Sequence, residues 1–379
     1  MLKGVKIIDF TNYLPGPYAS LRLAELGAEI IKVEPLKGDP ARSTGLSKNG
    51  NGLVYLAHNR QKKSIALNLK AEEGRHIALG LMAKADAVLE SFRPGVMAKL
   101  GLGYEAVCNL KPDIVYCSIT GYGDKGPMRG LGSHDLNYMS MSGLLSQLTN
   151  EQGRPVHPSI TIADYVGGMA ASERVLAGLV SRGLTGKGSY HCISITDVMA
   201  SLMANHVLIE KETGYPNGVS VLNGELISYA LYETKDGRHV SLAALEPKFW
   251  RNFCIAVNRE EWIPAHFSKL EPENPIFTEM MQLFKSKTMA EWTEFGRQVD
   301  CCLAPVLRAG ELAADDYFRM NGLIYDAPWG DRQVKMHGDM AGGGDVPPPE
   351  KGADTVHILK DLLNVSEQQI AEWKRNDVI

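Results

Sequence analysis

Five short apolar runs stand in the first 120 residues, each separated from the next by a helical or irregular stretch. They are KIIDF (6–10), AEIIKVE (28–34), SIALNL (64–69), AVLES (87–91) and DIVYCSIT (113–120). The intervening segments YASLRLAELG (18–27), stopped by Gly27, and AEEGRHIALGLMAKA (71–85) have apolar residues at helical spacing. Strands that read as nearly continuous apolar runs, rather than as an alternation, are covered on both faces. Strands joined through helices pair in parallel. The pattern therefore predicts an α/β, Rossmann-like layered domain.

The texture then changes twice. From Ser159 to Gly214 it is mainly helical, broken by SYHCISI (189–195). In ISYALYETKDGRHVSLAAL (227–245) two strand-like runs meet at Asp236-Gly237, which predicts a hairpin, and CCLAPVL (301–307) predicts one more strand. These features divide the chain into a discontinuous large Rossmann-like domain (1–200 and 310–379), a linker helix region (201–224) and a small α+β domain (225–309). AGGGDVPPPEKGADT (341–355) is too rich in Gly and Pro for regular structure and predicts an extended crossing segment. The helix SEQQIAEWKRN (366–376) follows, with Ser366 and Gln369 in a capping pattern.

Composition narrows the function classes. A formal net charge of −4 over 379 residues gives no basic field for nucleic acid or an anionic membrane. No run reaches the roughly 18 apolar residues of a membrane helix, and MLKGVKIIDF lacks the apolar core of a secretion signal. Six scattered cysteines show neither metal-ligand spacing nor a CxxC pair, and predict reduced thiols and a cytoplasmic location.

The stretch after the first strand, TNYLPGPYAS, lacks the phosphate-cradling glycines of a dinucleotide site, which argues against nicotinamide and flavin. Cations cluster instead in HNRQKKS (58–64) and SFRPG (91–95), both at strand boundaries. Arg93 follows the strand 87–91 directly, where open α/β sheets bind ligands, and its guanidinium suits a phosphorylated ligand. A solvated charged loop is the competing reading, strongest for Lys62 and Lys63. His134, in GSHDLNY (132–138), opens a segment of helical spacing, where the helix dipole disfavours a cationic imidazole. Asp164 lies in the first turn of a second helix, ITIADYVGGMAASERVLAGL. A core histidine and a capping carboxylate are the competing readings for these two.

The segments GVKIIDFTNYLPGPYASLRLAELGAEIIKVEP, NRQKKSIALNL, ESFRPGVMAKLGLGYE, ITGYGDKGP, ADYVGG, ETKDGRHVSLAALEPKFW and CLAPVL resemble, in order, the family III CoA transferases. Within that superfamily they are most similar to the α-methylacyl-CoA racemases. The resemblance implies an interlocked homodimer in which each chain threads through the other. It implies an acyl-CoA thioester substrate and no cofactor besides the coenzyme A of the substrate. The coenzyme A contacts would fall on Arg42, Asn59, Arg60, Lys62, Lys63, Arg93, Tyr122 and Gly123. Transferases of the family use the aspartate matching Asp164 as a nucleophile and tend to carry a glycine-rich loop where this chain has AALEPKFW. The racemases carry GHDxNY and a glutamate before proline, which read here as SHDLNY and Glu246-Pro247, with Ser133 in place of a glycine. The catalytic set so implied is His134, Asp164, Glu246 and Asp135. His134 and Asp164 would be the two bases and Glu246 the partner of the His134 ring, while backbone N–H groups at Asp135 would hold the enolate oxygen. The expected activity is racemisation of 2-methylacyl-CoA thioesters, with a CoA transferase as the alternative and a non-catalytic thioester binder as the remoter one. The acyl pocket is expected near Met139 and Met141.

Overall fold

The computed structural model describes residues 1–150, 152–337 and 346–379. Residues 341–345 of the expected crossing segment lie outside that set. The chain divides into two compact units, a large one of residues 1–203 and 316–379 and a small one of residues 204–315.

The large unit is built on a parallel six-stranded sheet. Its strands are β1 (Lys6–Asp9), β2 (Glu29–Glu34), β3 (Lys62–Ala66), β4 (Ala87–Glu90), β5 (Val115–Thr120) and β6 (Ser189–Ser194), in the order β3-β2-β1-β4-β5-β6. Every neighbouring pair is parallel. This is the doubly wound Rossmann order, and the direction of winding reverses between β1 and β4.

The side-chain period of two explains why the strands read as unbroken apolar runs. Ile7, Ile30 and Leu89 pack on one face with Ala19 and Leu23 of α1 (Pro15–Glu25). Ile8, Ile31 and Val88 pack on the other with Ile77 and Leu81 of α3 (Glu72–Ala83), which follows the short α2 (Leu53–His58). The C-terminal helices α12 (Thr355–Leu363) and α13 (Glu367–Arg375) cover that second face through Ile358, Leu359 and Ile370. Ser366 caps α13 by accepting from the Gln369 N–H at 3.2 Å.

The large unit also contains the helices α4 (Tyr104–Leu110), α5 (Asp135–Met141), α6 (Ile162–Thr185) and α7 (Ile195–Ser201). The pair Gly167-Gly168 seats α6. A Cβ on Gly168 would stand 2.5 Å from the Pro15 carbonyl oxygen, and one on Gly167 would stand 2.8 Å from Ile195 Cγ1. Only glycines let the first turns of α6 approach the starts of α1 and α7 so closely.

The small unit holds α8 (Ala204–Thr213), within the segment expected to be a linker. It also holds an antiparallel sheet of β7 (Tyr229–Glu233), β8 (His239–Ala243) and β9 (Leu303–Pro305). The expected hairpin is present, with Gly237 at φ +67°, in the left-handed region its turn requires. The helices α9 (Pro247–Ala256), α10 (Pro275–Phe284) and α11 (Met289–Gln298) pack Trp250, Phe284 and Trp292 against this sheet. No helix among the described residues is long and apolar enough to cross a membrane.

Candidate active site

A cavity of about 500 Å³ opens where the strand order reverses. Its wall comes from the residues just past the carboxyl ends of the strands. Asn12–Pro15 follow β1, Ser91–Pro94 follow β4, Gly121 and Tyr122 follow β5, and Ile195 follows β6. His134 and Asp164 line the same cavity, as do Arg93 and Arg129. Asn12 and Ser91, one past each strand of the switch, are joined by a bond from the Asn12 N–H to Ser91 Oγ at 3.2 Å.

The turn from β1 into α1 is under strain. Tyr13 has φ +64°, a left-handed conformation that costs a non-glycine residue on the order of 1 kcal/mol or more. Its N–H is held at 3.2 Å by Asp39 Oδ1, which belongs to a buried ionic network. Lys32 Nζ lies 2.7 Å from Asp39 Oδ2 and donates to the Thr11 carbonyl at 2.7 Å. Asp9, fully buried, accepts from Ser20 and Thr11 and faces Lys62 Nζ at 3.4 Å. Burial alone would raise the Asp9 carboxyl, but the Lys62 and Lys32 ammonium groups and the two hydroxyls hold it below the usual carboxylate range. The network fixes the floor beneath the turn that carries Asn12 and Tyr13.

Most of the side chains expected to contact coenzyme A are engaged with partners inside the protein. Lys62 is buried and donates to Asn59 Oδ1 at 2.9 Å and the Pro17 carbonyl at 3.0 Å. Burial pushes its ammonium down to about 7, against the opposing pull of Asp9. Asn59, also buried, donates to the Tyr55 carbonyl at 3.0 Å. Arg60 is fully buried, ion-paired with Glu25 and bonded to Gln333 Oε1 at 3.1 Å and the Val334 carbonyl at 2.7 Å. Arg42 clamps both oxygens of Glu34 at 2.7 Å and donates to the Pro349 carbonyl at 3.0 Å. Lys63 pairs at the surface with Glu29 at 2.7 Å. These five side chains have internal partners and none lines the cavity. The basic run of sequence is largely spent on holding the strands together.

Arg93, Tyr122 and Gly123 stand apart from that network. Arg93 is exposed and lines the cavity, and its guanidinium forms no hydrogen bond or ion pair with the described residues. Tyr122 also lines the cavity, its ring set edge-on against Tyr138 at 6.0 Å. Gly123 turns away just beyond β5, its N–H held by Thr120 Oγ1 at 2.9 Å.

His134 stands at the N-cap position of α5 with extended backbone (φ −137°, ψ 173°), exposed on the cavity wall. Its N–H donates to Asn137 Oδ1 at 3.0 Å, which fixes the start of the helix. Ser133, just before it, donates from Oγ to the Tyr138 hydroxyl at 3.0 Å. Gly121 packs so closely there that a Cβ would lie 2.3 Å from Ser133 Oγ.

The Asp135 side chain has a structural role besides the one expected of its backbone N–H. Its carboxylate is buried and Oδ1 accepts from the N–H groups of Ala163 at 2.7 Å and Asp164 at 3.1 Å. It therefore caps α6 from outside, tying the helix that begins beside His134 to the helix that carries Asp164. Asp164 itself is half-buried, and burial, aided by the Asp135 charge, raises its carboxyl to about 7. Met139 is buried in the core and Met141 is exposed, and neither lines the cavity. The helical period turns Met139 into the sheet.

Glu246 belongs to the small unit. It is the N-cap residue of α9, with Pro247 in the first helical turn, and its side chain makes no capping bond. Among the described residues no three His, Cys, Asp or Glu side chains converge as a metal site requires.

A family model, "CoA-transferase family III", matches residues 2–355. The chain belongs to that family. The human succinyl-CoA:glutarate CoA-transferase is 30% identical, covering 98% of this chain and 88% of that one. The α-methylacyl-CoA racemase of Mus musculus is 31% identical over 81% of this chain and 78% of its own. Among solved structures, a CAIB/BAIF family protein from Brucella suis superposes with a TM-score of 0.82 at 26% identity, covering 95% of this chain and 99% of that one. Family III thus holds both transferases and racemases among the relatives of this chain. The cavity residues that the sequence reading missed, Asn12, Ser91 and Arg129, carry no motif of their own. The signal that would have found the first two is position, one to three residues past strands at the switch point.

Proposed function

We propose that the chain racemises 2-methylacyl-CoA thioesters, with His134 and Asp164 as paired bases. The observation that carries this reading is that both side chains line one cavity. Inverting a carbon needs a proton removed from one face and another delivered to the opposite face. In one direction His134 takes the α-proton and Asp164, as the acid, returns one; in the other the roles exchange. A carboxyl near 7 can serve as acid and as base at neutral pH, whereas an ordinary aspartate is almost wholly ionised there. The thioester's coenzyme A supplies binding energy remote from the reacting carbon, with Arg93 as the free cation for a phosphate. The interlocked homodimer and a cytoplasmic location belong to the same proposal.

A CoA transferase is the second reading, favoured by the fuller coverage of this chain by the human transferase than by the mouse racemase. There the Asp164 carboxylate attacks the thioester carbonyl and expels the CoA thiolate, leaving a mixed anhydride for an acceptor acid. One experiment separates the readings. The protein is incubated with one enantiomer of a 2-methylacyl-CoA in D₂O without any acceptor acid. Racemisation with deuterium entering the α-position is expected. An unlabelled, optically unchanged thioester, together with CoA exchange once succinate or glutarate is added, overturns racemisation in favour of transfer.

A further inference from the structure

A second cavity, of about 410 Å³, shares only Arg93 and Pro94 with the first. Its floor is one face of the sheet. Glu90 of β4 stands in register with Ser118 of β5, and Tyr116 of β5 stands in register with Tyr190 of β6. Tyr104, at the start of α4, completes a wall of three tyrosine rings. Tyr104 and Tyr190 have centroids 5.5 Å apart, Tyr116 and Tyr190 5.9 Å, and Tyr104 and Tyr116 6.1 Å. Met97 adds a soft apolar contact.

The carboxyl in this floor lacks a counter-charge. Glu90 is 6% exposed, and Oε2 accepts from the Phe92 N–H at 2.8 Å. Burial raises it to about 7, and only the bonds from Ser118 and Phe92 oppose the rise. No ammonium or guanidinium pairs with it among the described residues. The charged groups on the wall are Glu105 of α4 and Arg93, and neither bonds to Glu90. The Cys192 thiol and the Tyr116 and Tyr190 hydroxyls are the other titratable groups on its face of the sheet, and the Cys117 thiol lies behind it on the opposite face. A buried carboxyl without a counter-charge, set beside three tyrosine rings, is stabilised by whatever positive charge enters. The chemistry of the wall selects the kind of cation. A primary ammonium must replace its lost water with several acceptors, and the floor offers few. A quaternary ammonium needs none and gains from ring faces and a soft apolar contact.

We propose that this second cavity binds an organic cation of the quaternary-ammonium class, its head seated against Tyr104, Tyr116 and Tyr190 with the Glu90 carboxylate as counter-ion. The site meets the proposed reaction centre only at Arg93 and Pro94, and its occupancy does not depend on whether that centre racemises or transfers. The test is calorimetric titration of the full chain with choline and with 3,3-dimethylbutan-1-ol, which has the same shape without the charge. Choline is expected to bind about tenfold more tightly than the alcohol. Because the bound cation lowers the Glu90 carboxyl from about 7, binding at neutral pH releases a proton, visible as a heat that varies with the buffer's ionisation enthalpy. Choline affinity therefore rises as the pH goes from about 6 to about 8 and levels off above. Glu90→Gln abolishes the proton release and the pH dependence, and Tyr190→Leu weakens choline several-fold while leaving the proton release in place. Equal affinity for choline and the alcohol, no choline binding at all, or choline binding by the unmodified chain without proton release each overturn the assignment. These last readouts need no variant, so a misfolded Glu90→Gln does not shelter it.

Discussion

Asp135 Oδ1 accepts the backbone N–H of Asp164 at 3.1 Å, so the carboxylate next to His134 also caps the helix that presents Asp164. The two acids are thereby set close enough for the charge of one to raise the pKa of the other. Asp135→Asn keeps an oxygen to accept the two N–H groups but removes the charge. The acidic limb of the kcat/KM profile is expected to move to lower pH, with a nearly unchanged Tm. Asp135→Ala loses the cap as well and is expected to cost about 1 kcal/mol of stability. A pH profile unmoved in Asp135→Asn would reduce Asp135 to a cap.

The raised Asp164 carboxyl has a cost for the fold, and its sign is definite. In the unfolded chain the group titrates near 3.8 and in the folded one near 7, so between those values the folded state binds the extra proton. Stability attributable to this group therefore falls as pH rises from about 4 to about 7, then stays level. Asp164→Asn is expected to raise Tm at pH 8, to change it little at pH 4, and to abolish activity. Three units correspond to roughly 4 kcal/mol, an upper figure because the group keeps some contact with water. A variant no more stable than the parent at pH 8 would contradict the desolvated placement of Asp164.

His134→Ala separates acid–base chemistry from nucleophilic chemistry. Under racemisation it is expected to lower kcat by about 10²–10⁴-fold, and α-deuterium exchange from one enantiomer survives through Asp164 alone. Under transfer, where Asp164 is the attacking atom's owner, CoA exchange between acids persists in His134→Ala and vanishes in Asp164→Ala.

Arg60 and Arg93 are expected to diverge although both were legible as coenzyme A contacts. Arg60→Leu leaves Glu25 buried and uncompensated, a loss of roughly 3–5 kcal/mol, with KM little changed in whatever protein folds. Arg93→Ala is expected to leave Tm within about 0.5 kcal/mol equivalent while raising KM for the thioester and weakening its salt dependence. Denaturant melts and steady-state kinetics on the two variants check both halves.

Light scattering is expected to give a mass near twice 41.5 kDa that resists dilution. A monomer, or a dimer that exchanges subunits freely, would sink the interlocked arrangement.

What the sequence determined by itself is local. The apolar runs marked five of the six strands of the large sheet, because a strand buried on both faces must be apolar at successive positions whatever its neighbours are; the edge strand β6 is part-exposed over most of its length and carries no such run. Asp236-Gly237 marked the hairpin because its turn needs a left-handed residue, and Gly237 supplies one at φ +67°. The placing of His134 and Glu246 at helix starts came from the same short-range rules. What only the tertiary structure decided is which charges are free. Arg60 is committed to Glu25, 35 residues away, and to Gln333, 273 residues away, while Arg93 has no partner among the described residues. Asp135 is committed to a helix that begins 27 positions later in the chain, at Ile162. Whether an ion is hydrated, paired or aimed into a cavity depends on the dielectric and the partners that surround it. Those surroundings are assembled from distant parts of the chain, so spacing along the sequence carries almost no record of them.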